Sequence, residues 1–199
     1  MSEICPPSSI FIIAVATFGF TALCLFDLLQ RTNRRTARLL LSAIGYISVA
    51  AAIGLQLLLF RPAPTAPWIA APLILLAAAG FLLLLYSLFL EIPLTEPFSP
   101  GERRAVRSGT YGLVRHPGFL WFLIGELALV ALYRSGEFLA VAGYLVMLDL
   151  LLVVLEDRII FPKLMTDYQE YKQEVPFLIP TLSSILRKRR RHGTDSSGN

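Results

Sequence analysis

Five apolar runs separated by short polar segments organise this chain: Ile10–Leu29, Leu39–Phe60, Trp68–Leu90, Phe119–Leu132 and Phe138–Leu155. Crossing a hydrocarbon core of ~30 Å takes about 20 helical residues, so the first three runs predict membrane-spanning helices. The last two are shorter. They predict spans completed at the interfaces by His116-Pro117-Gly118 and Tyr133, or a tilted pair that crosses only in part. The expected fold is all-α, a polytopic membrane protein of five transmembrane helices ending in a C-terminal helical hairpin. The chain divides into three regions: a scaffold of three spans (1–90), a core carrying the polar chemistry (91–186) and a basic tail expected to be disordered (187–199).

Between the runs, local chemistry sets the boundaries. Pro62, Pro64 and Pro67 mark a tight loop, and Trp68 is placed as an interfacial anchor. Gly45, Gly54 and Gly80 would let neighbouring helices approach closely. Asp27 reads as a side chain snorkelling beside Arg31. From Glu91 to Ser108 the chain carries Pro93, Pro97, Pro100, Gly101 and alternating charges, which predicts a loop; its length marks it as a functional one. Glu156–Tyr171 mixes polar and apolar residues as a surface-lying amphipathic helix does, with Pro162 starting or kinking it.

Composition agrees with the pattern: 55% of the residues are hydrophobic and 16% charged, a membrane protein's balance. With five spans, 16 of the 18 Lys and Arg fall on one face. These are Arg31, Arg34, Arg35 and Arg38, then Arg103, Arg104, Arg107 and Arg115, then eight from Arg158 to Arg191. By the positive-inside rule that face is cytoplasmic and the N-terminus lies outside. The N-terminal stretch has no basic n-region or small-residue cleavage site, so its apolar run reads as a retained span. The net charge of +4 sits at helix ends and in the tail, which fits anionic headgroups and argues against nucleic acid. Cys5 and Cys24 offer neither a disulfide framework nor metal-ligand spacing, and no metal site is expected.

The chemistry gathers at one membrane face. Tyr111, Arg115 and His116 precede the fourth run, while Glu156, Asp157, Tyr168 and Tyr171 come after the fifth. Two antiparallel helices joined by the short Tyr133–Glu137 turn would bring those clusters together. Each residue also has a plainer reading: Arg115 holding a headgroup phosphate, His116 capping a helix, the tyrosines anchoring at the interface. Glu126 and Asp149 differ in lying about 9 to 14 Å inside the membrane. Ionisable groups at that depth normally face protein or a water-filled cavity and mark function; Glu126 reads as a substrate-binding group or proton acceptor, or as a hydrogen-bonded structural carboxyl.

The stretch Gly109-x-Tyr111-x-x-x-Arg115-His116-Pro117-x-Phe119 resembles the G-x-Y-x-x-x-R-H-P-x-Y motif of the isoprenylcysteine carboxyl methyltransferase and phospholipid methyltransferase superfamily of integral membrane enzymes. About forty residues on, Glu156-Asp157 with Tyr168-x-x-Tyr171 and Pro176–Pro180 resembles that family's second motif. The likeness runs from about Arg107 to Pro180. It departs in Asp157, where a second Glu is usual, in Phe119 for Tyr, and in Leu164-Met165 for Phe-Gly, the last implying a changed helix geometry before Tyr168.

The resemblance implies an S-adenosylmethionine-dependent methyltransferase whose C-terminal segment encloses the cofactor at the cytoplasmic face. It implies cofactor contacts from Tyr111, Val114, His116, Pro117, Glu156, Asp157, Tyr168 and Tyr171. The methyl acceptor would be a lipid-like or small apolar molecule entering from the bilayer. Arg115 would pair with an acceptor carboxylate; an amine or thiol acceptor would need a base, for which Glu126 or His116 is placed. Two other readings stand beside this one. A sterol-reductase type of protein would hold a nicotinamide dinucleotide in a similar terminal helix pair, but its pyrophosphate calls for several convergent cations. A non-catalytic lipid-binding or assembly protein would not need the intact polar set.

Overall fold

The computed structural model describes residues 7–32, 34–91, 104–182 and 184. Within them the chain is helical and without strands. Helix α1 is Pro7–Leu28, closed by a 3-10 turn at Leu29–Arg31; α2 is Arg35–Leu59. Helix α3, Pro67–Leu85, starts with proline at its first position, where no N–H is needed, and continues as a π-helical stretch, Tyr86–Glu91. Then come α4, Pro117–Tyr133, and α5, Gly136–Leu155, which passes through a second π-helical stretch at Glu156–Ile160 into the short α6, Phe161–Leu164. Helix α7 is Tyr168–Glu174. The core of the predicted loop (92–103), Cys5 and the tail 187–199 lie outside the described residues.

Four helical stretches are long and apolar enough to cross a membrane, the architecture of a multi-pass membrane protein: Pro7–Leu28, Arg35–Leu59, Pro67–Glu91 and Gly136–Leu164. The helix at Pro117–Tyr133 is also apolar but has 17 residues, about 25 Å at 1.5 Å per residue. The fifth apolar run is thus longer than its composition predicts. At 29 residues, Gly136–Leu164 absorbs Glu156 and Asp157 into the helix, where a separate surface helix from Glu156 was expected. Pro162 stands in the first turn of α6, where a missing N–H is tolerated, directly after the π-helical stretch that covers the carbonyl four residues back. Helical geometry stops at Met165, whose backbone is extended.

Packing separates scaffold from centre. Only 17% of the most apolar windows of α2 and α3 is buried inside the protein, against 39% for α1. Their exposed Ile47, Leu58, Leu75 and Leu82 therefore face where lipid would lie. Helix α1 packs on α2 and α5, and α3 on α4. At Gly80 the α3 and α4 backbones touch: a Cβ there would stand 2.8 Å from the Trp121 carbonyl and 2.9 Å from the Gly125 nitrogen. Gly45 likewise leaves room for the Leu23 side chain, whereas Gly54, expected to act with them, meets nothing within 4 Å.

Polar pairs tie the two halves together. The Thr17 and Tyr144 hydroxyls meet at 2.9 Å between α1 and α5. The Tyr133 hydroxyl donates to the Leu57 carbonyl, and Gln56 Nε2 donates to Glu126 Oε2 at 3.1 Å, so both bonds join α4 to α2. At the other end of α4, Arg134 adopts a left-handed conformation and Ser135 caps α5 through the Phe138 amide, so the α4–α5 connection is two residues long.

Candidate functional site

The site forms where α4 begins and α5 ends. Residues 108–116 make a compact turn, with the Gly112, Leu113 and Val114 amides donating to the Ser108 and Thr110 carbonyls. That turn is clasped from two sides. The Tyr111 hydroxyl donates to the Ser87 carbonyl of the α3 extension, and the Tyr111 carbonyl accepts from the Tyr171 hydroxyl at 2.7 Å. Val114 and Pro117 are buried beneath it as apolar floor.

Asp157 is the hub. Its carboxylate accepts from Arg115 Nε at 2.7 Å, from the Tyr168 hydroxyl at 2.8 Å and from Lys172 Nζ at 2.9 Å. Arg115 is occupied in full: besides Asp157 it donates to the Lys172 and Val175 carbonyls, its backbone N–H goes to the Pro176 carbonyl, and its guanidinium lies over the Phe177 ring. Arg115 therefore fastens the segment 172–177 to the turn. The plain readings of the tyrosines as surface anchors do not hold, since Tyr168 and Tyr171 are buried. Burial first, and then the Asp157 carboxylate, hold the Tyr168 phenol above its ordinary pKa.

His116 sits inside this frame, stacked on Phe161 and edge-on to Phe177. It occupies the position before α4 without capping it through its side chain. Its Nδ1 faces Glu156 at 3.5 Å, while Nε2 is buried and makes no hydrogen bond, with Asp157 at 3.7 Å. Burial would lower the imidazole pKa, but the Asp157 and Glu156 carboxylates outweigh it and raise the value, so the cationic form persists to higher pH. Glu156 itself keeps 19% of its side chain exposed, facing away from the hub that Asp157 serves.

Of the residues expected from sequence, Tyr111, Val114, Arg115, His116, Pro117, Glu156, Asp157, Tyr168 and Tyr171 lie at this end of the bundle. Glu126 does not. It stands nine residues into α4, about 14 Å along the axis from Pro117, enclosed at 1% exposure and bonded to Gln56. That geometry makes a clamp between α2 and α4, apart from the cluster where α4 begins, and leaves Glu126 Oε1 buried without a hydrogen bond. Glu126→Leu is expected to cost about 1–2 kcal/mol, the range for interhelical hydrogen bonds in membranes, and to leave ligand affinity at the far end of α4 unchanged. Thermal unfolding in detergent checks this: an unaltered midpoint would remove the clamp.

Asp27 is the opposite correction. It is 6% exposed, accepts a hydrogen bond from Gln30 and lies close to Glu156, and so belongs to the edge of the site; the side chain of Arg31, its expected partner, lies outside what the structure describes. Asp149 is half-buried on α5 and acts electrostatically with Glu156. Sequence reasoning missed Glu91, Lys172, Phe161 and Phe177. Only the last carried a signal, as the residue after Pro176 in the second motif. No group of His, Cys, Asp and Glu able to hold a metal occurs among the described residues. No family model, curated protein or solved structure matches the chain.

Proposed function

We propose that this protein is an integral membrane methyltransferase that uses S-adenosylmethionine and acts on a lipid-like or small apolar acceptor. The observation that carries the reading is the meeting of two motifs forty residues apart. His116 stands 3.5 Å from Glu156 and stacks on Phe161, in a frame closed by the Tyr111–Tyr171 bond. When bound, the cofactor supplies a methyl group on a sulfonium centre. A cationic His116 with an unbonded, buried Nε2 fits the cofactor's carboxylate. Glu156, partly exposed beside His116 and with Asp27 next to it, fits its cationic amino group. Tyr111, Phe161 and Phe177 offer flat faces for adenine. Asp157, Tyr168 and Arg115 act as positioning groups, since their polar atoms already serve one another. Alignment and exclusion of water are the chain's contribution to the transfer.

The reading is preferred to nicotinamide dinucleotide binding because Arg115 and Lys172 both pair with Asp157, beside the further carboxyls of Glu156 and Asp27. A pyrophosphate would find the charges of Arg115 and Lys172 already taken up by Asp157. Titration of the detergent-solubilised protein with S-adenosylmethionine and with NADPH separates the two: binding of NADPH alone would reverse the choice. Within the preferred reading, Glu156→Gln and His116→Ala each lower S-adenosylmethionine affinity by roughly 1.5–3 kcal/mol, the worth of a charge-assisted hydrogen bond. Calorimetry that finds both variants at wild-type affinity would take these residues out of the cofactor site.

In this reading all five apolar helices span, α4 included, with the N-terminus outside and the site cytoplasmic, as the 16-to-2 basic asymmetry requires. Cysteines placed singly at Ser135 and at the exposed Leu182, in a background without Cys5 and Cys24, are expected to react with an impermeant thiol reagent only at Ser135. Equal labelling of the two from outside the cell would refute the orientation.

A further inference from the structure

The α3 extension ends on a carboxylate that belongs to neither sequence motif. Glu91 is 1% exposed, the last residue of the π-helical stretch Tyr86–Glu91. Its two oxygens divide the donors of one residue: Oε1 accepts the Thr110 backbone N–H and Oε2 the Thr110 hydroxyl. The neighbouring Gly109 has φ +54°, a left-handed conformation that suits glycine, and a Cβ at that position would run into the Glu91 carboxyl. Four residues before Glu91, the Ser87 carbonyl receives the Tyr111 hydroxyl. The end of α3 thus grips Thr110 and Tyr111 in succession.

Register explains why this grip depends on Glu91. A π-helical turn holds more residues than an α-helical one and rotates the residues beyond it, so the last turn of α3 directs Glu91 onto the motif turn. A carboxylate is acceptor-only with two oxygens, which matches the two donors that Thr110 presents side by side. The partner across the turn, Tyr171, holds the Tyr111 carbonyl from the opposite side. Tyr111 is therefore placed by two clasps, of which one comes from the sequence motif and the other from α3.

We infer that Glu91 is a positioning residue: by binding Thr110 it fixes the 109–113 turn and, through it, sets Tyr111 for the cofactor. The second half of this statement rests on the methyltransferase reading; the first does not. Glu91 has no role in the motif resemblance, and it ends the extension of α3, so it couples the pose of that helix to the site.

Two measurements on the full-length protein in detergent test the inference. Hydrogen exchange comes first because it needs no ligand. In Glu91→Ala the amides of Thr110, Gly112, Leu113 and Val114 are expected to exchange at least ten times faster than in the wild type, while amides in the middle of α5 keep their rates. Glu91→Gln, which retains one acceptor oxygen and lets the Thr110 hydroxyl turn to accept, is expected to recover most of the protection. Protection unchanged in Glu91→Ala, or lost equally across α5, overturns the inference.

The second measurement is a double-mutant cycle on S-adenosylmethionine affinity. Glu91→Ala and Tyr111→Ala are each expected to weaken binding about tenfold or more, and the double variant hardly further than either single one. Glu91→Ala and Glu156→Gln, in contrast, are expected to multiply. Multiplying losses for the Glu91 and Tyr111 pair would show a merely structural effect and overturn the positioning role. If the wild type binds no S-adenosylmethionine, the methyltransferase reading falls, and the exchange measurement alone decides whether Glu91 fixes the turn.

Discussion

Asp157→Ala is expected to release the whole C-terminal segment from the bundle. The wild-type carboxylate gathers Arg115, Tyr168 and Lys172 within 2.7 to 2.9 Å, and it is 5% exposed. Removing one partner of a buried ion pair costs about 3–5 kcal/mol, because the remaining charge is left in a poorly solvating place. Arg115, with 9% of its side chain exposed, is that charge. It cannot simply turn to water, since the same guanidinium holds the Lys172 and Val175 carbonyls. Amides that depend on this frame, those of Arg115, Tyr171 and Val175, should therefore exchange about 100-fold faster or more, while α1–α2 contacts are untouched. Asp157→Asn keeps an acceptor oxygen and the shape, and should fall between. Protection of these amides at wild-type level in Asp157→Ala would mean that the hub contributes nothing to holding residues 165–177.

The second large effect is expected at Gly80, far from any polar chemistry. A methyl group there would meet the Trp121 carbonyl, the Gly125 nitrogen and the Gly125 Cα at 2.8, 2.9 and 3.1 Å, all of them backbone atoms of α4. Side chains can rotate away from an added methyl; a helix backbone can only shift as a body. Overpacking of this kind costs about 1–3 kcal/mol and occasionally more, and Gly80→Leu should exceed Gly80→Ala. The consequence reaches the site because α3 ends on the Glu91 clasp and α4 begins at His116-Pro117, so splaying the two helices separates the halves of the turn's support. Gly54→Ala is the control, with nothing within 4 Å of its Cβ. Melting temperature and S-adenosylmethionine affinity are expected to drop together in the Gly80 variants, and neither is expected to change in Gly54→Ala. Equal behaviour of the two glycines would refute close α3–α4 contact.

What the chain's sequence determined by itself is its partition between apolar helix and polar connection. Burial of an apolar run in lipid depends on composition over about 20 residues, a local property, so the helices lie where the five runs lie. The prolines at 67, 117 and 162 likewise stand in the first turns of their helices, where a missing N–H is tolerated. Tertiary structure decided how the polar residues divide the work. Glu156 and Asp157 are neighbours in sequence, yet one stays partly exposed beside His116 and the other anchors a buried hub, because only Asp157 meets Arg115, Tyr168 and Lys172 in the packed fold. Arg115 reads as a free cation until its partners 42 to 60 residues away are in place. Glu126 reads as an acceptor-site group or a structural carboxyl alike, and only the fold brings Gln56, 70 residues earlier, to it as a partner. Gly45 and Gly54 look alike, and only one is pressed by a neighbour. In each case the deciding contact joins residues far apart along the chain, and such pairings are fixed by how whole helices rotate and pack, which no local pattern of hydrophobic and polar positions encodes.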